Sequence, residues 1–193
     1  MIEAISGLSA ALGLAGSAGL NAYIPLLLVA LAARFPMGDP LIKLHAPYDL
    51  MGSWWAIGLI AVLLVIEIVA DKIPAVATVN DGIQTFIRPA AGAILFAGSA
   101  NVITDIHPFL ALGAGLLGAG GVHATKTAAR PVVTVSTAGG GNPIVSTLED
   151  ITAFVVSLLA ILLPIIAAIF LIMLLIVAAL MIRRWRRRKV VAI

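Results

Sequence analysis

The most apolar segment of the chain extends from Ile151 to Ile182 and reads ITAFVVSLLAILLPIIAAIFLIMLLIVAALMI. Thr152 and Ser157 are its only polar side chains. As one helix the segment would be about 48 Å long at about 1.5 Å per residue, whereas the hydrocarbon core of a bilayer is about 30 Å thick. We predict one long, kinked membrane-spanning helix. A hairpin that turns at Pro164 is the alternative.

A short basic tail, residues 183–193, follows this segment directly. Its basic residues are Arg183, Arg184, Arg186, Arg187, Arg188 and Lys189. Because basic residues next to a membrane span favour the cytoplasmic side, we predict a cytoplasmic tail that contacts lipid head groups. A nucleic-acid-binding protein needs a basic face on a folded domain, so we do not expect nucleic acid as a partner.

The composition of the whole chain also predicts a membrane protein. Of its 193 residues, 62% are hydrophobic and 11% are charged, and the mean hydropathy is +1.15. Ordinary globular domains are about 45–50% apolar and about 25% charged. The chain has no cysteine, which excludes a disulfide-linked secreted scaffold. We therefore predict an all-α polytopic membrane protein with a single transmembrane domain, residues 1–182.

Five spans are predicted from the apolar runs, and six are the alternative if the last segment forms a hairpin. The predicted spans cover 5–35, 54–70, 78–100, 109–130 and 151–182, with loops at 36–52 and 131–146. The first span contains helix-breaking glycine and proline residues, so we expect an interruption at 19–23. Five spans place the N-terminus outside and the 36–52 loop in the cytoplasm.

Two segments of the chain repeat each other without gaps. Residues 74–81 (PAVATVND) match residues 143–150 (PIVSTLED), and a weaker match pairs 19–22 (GLNA) with 121–124 (GVHA). The repeat predicts two related halves, about 7–100 and 109–182, of which the second lacks one span. Losing one span would reverse the direction of the paired first helices. Duplicated halves with interrupted helices are typical of transporters.

Polar and charged residues inside the apolar chain are the candidate functional residues, because such groups are costly in a membrane and normally face a protein interior or cavity. They are Asn21, Glu67, Asp71, Lys72, Asp81, Arg88, His123, Lys126, Arg130, Glu149 and Asp150. The five acids nearly balance the four bases. This balance predicts that the groups pair with one another. The paired groups could hold helices together, relay protons or bind a polar substrate. Thr78 and Thr147 each precede an aspartate by three residues, so we also expect them to cap helices.

The sequence contains none of the common motifs for catalysis, nucleotides or metals. There is no phosphate-binding G-x-x-x-x-G-K-[ST] loop and no G-x-S-x-G nucleophile motif. His45, His107 and His123 are too scattered for a convincing metal site. We therefore expect neither an enzyme nor a bound cofactor or metal.

Five motifs together resemble an uncharacterised bacterial membrane family, the domain of unknown function 4126. They are GLNAYIPLL at 19–27, EIVADKIP at 67–74, TFIRPAAGA at 85–93, HATK at 123–126 and NPIVSTLED at 142–150. The resemblance covers nearly the whole chain up to about residue 165. It implies a polytopic membrane protein and no particular activity. We expect the protein in the bacterial inner membrane.

Three functions remain open from the sequence. The first is a non-catalytic subunit of a larger assembly that transports lipid or solute across the envelope, with other membrane proteins as partners. The second is a small stand-alone transporter or channel, which could self-associate. An intramembrane enzyme that acts on lipid head groups is a distant third.

Overall fold

The computed structural model describes residues 2–35, 44, 46–99 and 107–164, together with scattered positions between 166 and 183. Within these residues the chain is helical and contains no strand. One short 3₁₀ helix, Tyr48–Gly52, accompanies the α-helices. The α-helices are α1 (Ile2–Leu20), α2 (Tyr23–Arg34), α3 (Trp54–Ala70), α4 (Pro74–Ser99), α5 (Pro108–Ser136) and α6 (Asn142–Leu162).

The helices α4, α5 and α6 extend beyond the starts or ends of the predicted spans. Helix α5 continues through Pro131 to Ser136, and α6 already begins at Asn142, so the predicted loop 131–146 shrinks to 137–141. The Thr134 hydroxyl donates to the Arg130 carbonyl within this last stretch of α5. The helix ends where Ala138 and Gly139 adopt φ values of 49° and 84°. Such left-handed residues are a common helix stop.

The prediction that Thr78 and Thr147 cap helices is wrong. Helix α4 begins at Pro74 and α6 at Asn142, so both threonines lie inside helices, beyond their first turns. The Thr147 hydroxyl donates to the carbonyl of Pro143, one turn earlier. Proline is well suited to the first turn of a helix because it needs no N–H partner there, and here it stands four residues before each threonine.

The chain breaks between α1 and α2, as predicted, but there it also reverses direction. Close to the break, Asn21 contacts Asp150 on α6. Ser17, one turn earlier in α1, contacts Ser157, which lies seven residues further along α6. At the other end of α2, the last residues lie beside Gly52 and the 3₁₀ helix, whose Tyr48 packs on Gly98 near the end of α4. Helix α2 therefore returns towards the end of the bundle from which α1 came.

This reversal corrects the predicted arrangement of the two halves. Ala11 and Ala111 belong to the same core cluster, and Gly19 faces Ala119, so α1 and α5 run in the same direction. Helices α2 and α3 lie between α1 and α4, whereas α6 follows α5 directly. The first half therefore has two additional helices, and not one as predicted. With two additional helices, the paired helices α1 and α5 keep the same direction. The start of α1 and the 3₁₀ helix consequently lie at the same end of the bundle, and not at opposite ends as predicted.

The two ends of the bundle differ in chemistry. The end with the tight turns at 71–73 and 137–141 holds most of the embedded charged residues, and we call it the charged end. The opposite, apolar end is packed from small residues and Phe96. There a Cβ added to Gly115 would lie 2.6 Å from the Phe96 Cβ and 2.7 Å from the Ala93 Cα. The backbones of α4 and α5 therefore touch at this end.

Two of the helices, α5 and α6, are long and apolar enough to cross a membrane. Large apolar side chains face outwards on several helices, among them Phe86 and Phe109 at 79% exposure and Leu117 at 73%. The charged side chains Arg88 and Glu67 are 0% and 1% exposed. This is the opposite of the usual distribution in soluble proteins, where charged residues are almost never fully buried and large exposed apolar patches are rare.

Helix α6 ends at Leu162, because Leu163 leaves the helical region with φ −140° and ψ 66°. The break lies directly before Pro164, where the alternative hairpin would turn. The course of the chain beyond it, residues 184–193 of the basic tail and much of the 36–52 loop lie outside the described residues.

Candidate functional site: a buried ion-pair network

The charged end contains a network of ion pairs that joins four helices and one turn. Its members are Glu67 on α3, Asp71 in the turn before α4, Asp81 and Arg88 on α4, Lys126 and Arg130 on α5, and Glu149 on α6. The α3–α4 turn and the α5–α6 turn lie at the same end of the bundle. Acidic and basic groups from distant parts of the sequence therefore meet.

Asp71 is the centre of this network and is 3% exposed. Its Oδ2 lies 3.0 Å from Arg130 Nη2, 3.5 Å from Lys126 Nζ and 3.8 Å from Arg88 Nη2. Its other oxygen accepts a hydrogen bond of 2.8 Å from the Asn80 side chain. One carboxylate thus pairs with three cations from two helices, and this pairing offsets part of the cost of burying them.

Arg88 pairs with Glu67 and also orients a histidine. Arg88 Nη2 donates to Glu67 Oε1 over 2.8 Å, and Nη1 lies 3.2 Å from His123 Nδ1. A guanidinium group can only donate, so Nδ1 accepts and His123 is neutral, with its proton on Nε2. That nitrogen lies 3.1 Å from the Thr85 hydroxyl, which itself donates to the Asp81 carbonyl.

Lys126 connects the network to the break in the first helix. Its Nζ lies 2.9 Å from Glu149 Oε2 and donates to the Leu20 carbonyl over 3.1 Å. Leu20 is the last residue of α1, where the carbonyls have no partner within the helix. A cation is also favoured at the negative end of the helix dipole. The buried lysine therefore stabilises the end of α1.

Arg130 and Asp81 complete the network towards the protein surface. Arg130 Nη1 donates to Asp81 Oδ2 over 2.5 Å, and Nη2 lies 3.6 Å from Glu149 Oε2. The guanidinium group binds Asp71 and Asp81 with different nitrogens. It therefore links the turn before α4 to the third turn of the same helix, which a single-point ammonium group could not do as well.

Asn21 and Asp150 form a second, linked cluster with Lys72. The Asn21 side-chain oxygen accepts from the backbone N–H groups of Tyr23 and Ile24, and it thereby caps α2. Its amide nitrogen donates to Asp150 Oδ1 over 3.0 Å. Lys72, whose side chain is 39% exposed, lies 3.6 Å from the other Asp150 oxygen. Asp150 therefore holds the reversal of the chain in place.

The structure brings all eleven predicted polar residues into these two clusters, with His123 included through its contact with Arg88. The two repeat-related aspartates, Asp81 and Asp150, both lie in the second or third turn of a helix and both bind a cation of the bundle. The sequence did not indicate the roles of Asn80 and Thr85. Their only signal was that they lie on the same stretch of α4 as Asp81 and Arg88.

A cleft of about 450 Å³ opens at the charged end between α4 and α5. Its walls include Asp81 and Arg130, three threonine hydroxyls and apolar side chains. Thr85 and Thr127, two of these threonines, also contact the His123 ring. The cleft therefore leads from the outer surface to the edge of the ion-pair network.

Several buried polar atoms of the charged end have no hydrogen-bond partner among the described residues. They include Glu67 Oε2, Asp81 Oδ1, Gln84 Oε1, Arg88 Nε and Ser146 Oγ. Glu149 Oε2 makes no hydrogen bond of good geometry either, but it lies within ion-pair distance of Lys126. The described residues contain no group of three histidine or acidic side chains that could hold a metal ion.

No curated protein and no solved structure matches the chain. The family model described as Domain of unknown function (DUF4126) matches residues 8–184. This range includes both ion-pair clusters, the break at Asn21 and the whole of α2 to α6. The chain therefore belongs to the family of domain of unknown function 4126.

Proposed function

We propose that the protein crosses the bacterial inner membrane several times, with the basic tail in the cytoplasm. The support is the distribution of its side chains, because charged groups are buried and large apolar groups face outwards. In water this distribution would be unstable, whereas in a bilayer the apolar faces of the helices contact lipid. Helices α5 and α6, with the length and composition of spans, agree with this proposal.

Within that membrane we propose that the protein is a non-catalytic subunit that supports a larger transport assembly for lipid or solute. The observation that carries this proposal is that ion pairs and close packing hold the helices of the bundle in fixed positions. Every base of the main network binds at least one carboxylate at 3.0 Å or less. At the apolar end, Gly92 and Gly115 leave no room for even one added carbon atom between α4 and α5. Bases that are all paired and close backbone packing favour a rigid scaffold over a solute path.

A second candidate, a small secondary transporter, is favoured by the break in the first helix. The ends of α1 and α2 meet inside the bundle, and the repeat-related Asp81 and Asp150 lie in the two charged clusters nearby. Interrupted helices that meet buried charges between two related halves are a feature of many transporters. In this case the ion pairs would exchange partners during transport.

Neutralising Lys126 tests the two candidates against each other, with Lys72 as the matched control. Lys126 is buried and binds two carboxylates and a carbonyl, whereas Lys72 is partly exposed and pairs only with Asp150 among the described acids. A subunit with Lys126→Gln should lose abundance and copurifying partners. A transporter with the same substitution should stay folded and lose solute or proton flux in proteoliposomes. Lys72→Gln should change neither property strongly.

Native purification from cells that express a tagged chain at its natural level would test the subunit proposal most directly. We expect a stoichiometric complex that contains at least one recognisable transport protein by mass spectrometry. A homogeneous monomer or homo-oligomer would contradict the subunit proposal and leave the transporter as the better candidate.

A further inference from the structure

We propose that the charged end is a binding site for one proton, and that the Glu67 carboxyl group holds it. This inference goes beyond the proposed function, because it holds for a rigid subunit as well as for a transporter. It rests on the charge balance of the buried network, on the unequal pairing of its acids and on the buried oxygen atoms without a donor.

The buried clusters carry one more acid than they have bases. The acids are Glu67, Asp71, Asp81, Glu149 and Asp150, and the bases are Lys72, Arg88, Lys126 and Arg130. The formal charge with every group ionised is therefore −1. His123 adds no charge, because it accepts from Arg88. An uncompensated charge inside a protein or a membrane is expensive and is normally removed by a change of protonation.

Glu67 pairs with one cation, whereas Asp71 and Glu149 each meet at least two. Asp81 and Asp150 also pair with one cation each, but their side chains are more exposed than that of Glu67. Asp71 faces three cations, and Glu149 lies near both Lys126 and Arg130. Among the described residues Glu67 has only Arg88, which it shares with Asp71 and with His123. With 1% of its surface exposed it also lacks compensation by solvent. The excess negative charge is therefore least well supported at Glu67.

The oxygen atoms around Glu67 indicate a missing hydrogen. Glu67 Oε2 and Gln84 Oε1 are both buried acceptors, and neither has a donor among the described residues. Gln84 lies one helical turn before Arg88, which binds the other oxygen of Glu67. A carboxylate adds a further unpaired acceptor to this place, whereas a protonated Oε2 becomes a donor. Protonation thus lowers both the excess charge and the number of unpaired acceptors.

The groups that face Glu67 come from every element packed around it. They are Tyr23 on α2, Asp71 in the turn, Arg88 on α4 and Lys126 on α5. The two cations favour a carboxylate, but both also lie close to other acids. A metal cation is a poorer occupant than a proton, because the same two cations repel it and no set of three acidic or histidine ligands surrounds the position within the described chain.

Infrared spectroscopy of the full-length protein in lipid nanodiscs at neutral pH tests this proposal directly. A protonated carboxyl group has a carbonyl-stretch band that a carboxylate lacks. We expect such a band in the wild type, a shift of the band when glutamate is ¹³C-labelled, and its loss in Glu67→Gln. Asp49→Asn, at an exposed carboxyl group of the 3₁₀ helix outside the network, is the control and should keep the band.

Three results would overturn the proposal. They are a wild-type spectrum without the band, a band that does not respond to glutamate labelling, and a band that disappears when Na⁺ replaces K⁺ at constant pH. None of the three needs a variant, so the test does not depend on the folding of Glu67→Gln. A stability measurement adds an independent check, since glutamine resembles a neutral glutamic acid. Glu67→Gln should keep the melting temperature of the wild type, whereas Asp71→Asn should lower it.

Discussion

The reversal of the chain at Asn21 can be tested by exchanging the two side chains that hold it. In Asn21→Asp the new carboxylate can still cap α2, because aspartate and asparagine are about equally good caps. The amide that donates to Asp150 Oδ1 over 3.0 Å is replaced by a second negative oxygen. The perturbation therefore acts on one contact between residues that are 129 positions apart.

The expected loss of stability follows from this geometry. A hydrogen bond to a charged acceptor contributes about 1.5–3 kcal/mol, and two unit charges about 3 Å apart repel by about 5 kcal/mol at an effective dielectric constant near 20. Proton uptake by one of the two acids limits the repulsion. We therefore expect Asn21→Asp to lower the free energy of unfolding by at least about 3 kcal/mol, which is more than a hundredfold in the equilibrium constant.

The double variant Asn21→Asp with Asp150→Asn should recover most of this loss, because the exchanged pair again has one amide donor and one carboxylate acceptor. It still lacks the ion pair with Lys72, which is worth about 1 kcal/mol or less for a partly exposed lysine. Unfolding by SDS in mixed micelles, followed by tryptophan fluorescence, gives the four free energies of the cycle. A double variant no more stable than Asn21→Asp would refute the contact and with it the reversal.

Three further predictions concern packing, the membrane and the network. Gly115→Ala should destabilise the protein by about 1–3 kcal/mol, since its Cβ would meet backbone atoms of α4. Gly113→Ala, with open space around it, should stabilise the protein by up to about 1 kcal/mol. Equal effects of the two substitutions in thermal melts would contradict the close packing. Phe86→Lys, at a side chain that is 79% exposed, should reduce membrane insertion by about 2.5–3.5 kcal/mol near the centre of a span, and unchanged yield in the membrane fraction would argue against a lipid-facing α4. Arg130→Lys keeps the charge but loses one of the two hydrogen bonds to Asp71 and Asp81, so we expect a lower melting temperature. An unchanged melting temperature would show that the two hydrogen bonds are not coupled.

The membership of the buried network could be predicted from the sequence, and the reason is physical. In a chain with 11% charged residues, an acid or base inside an apolar run has few neighbours that can compensate it. Such groups therefore find one another, as Asp71, Arg88 and Lys126 do. The near balance of acids and bases was visible for the same reason. The individual partners were not, because they depend on which helices lie side by side.

The reversal at Asn21 could not be predicted, because the residues around it allow two interpretations. Glycine at position 19 and proline at position 25 indicate an interrupted helix, but they do not specify the angle between its two parts. The decisive contacts are tertiary. Lys126 binds the Leu20 carbonyl, and Asp150 binds Asn21, and both partners come from the second half of the chain.

The extent of α5 could not be predicted either, for a related reason. Pro131 removes one backbone donor and indicates a helix end in sequence. In the structure the helix continues for another five residues, and hydroxyl groups such as that of Thr134 bind carbonyls of the preceding turn. The Thr147 hydroxyl inside α6 binds a carbonyl of the preceding turn in the same way. The spacing between Thr147 and Asp150 had instead indicated a helix cap.

The position of the charged residues follows from the break in the first helix. A chain that reverses inside a bundle exposes the last carbonyls of one helix and the first N–H groups of the next, and inside a membrane no water satisfies them. Asn21 caps the start of α2 and Lys126 binds the end of α1. Each of these groups then needs its own partner, which Asp150 and Glu149 supply. Buried carboxylates require further cations in turn, and the network grows until its charge is nearly balanced. Glu67 shares Arg88, its one ion-pair partner among the described residues, with Asp71, and the proposed proton would complete the charge balance there.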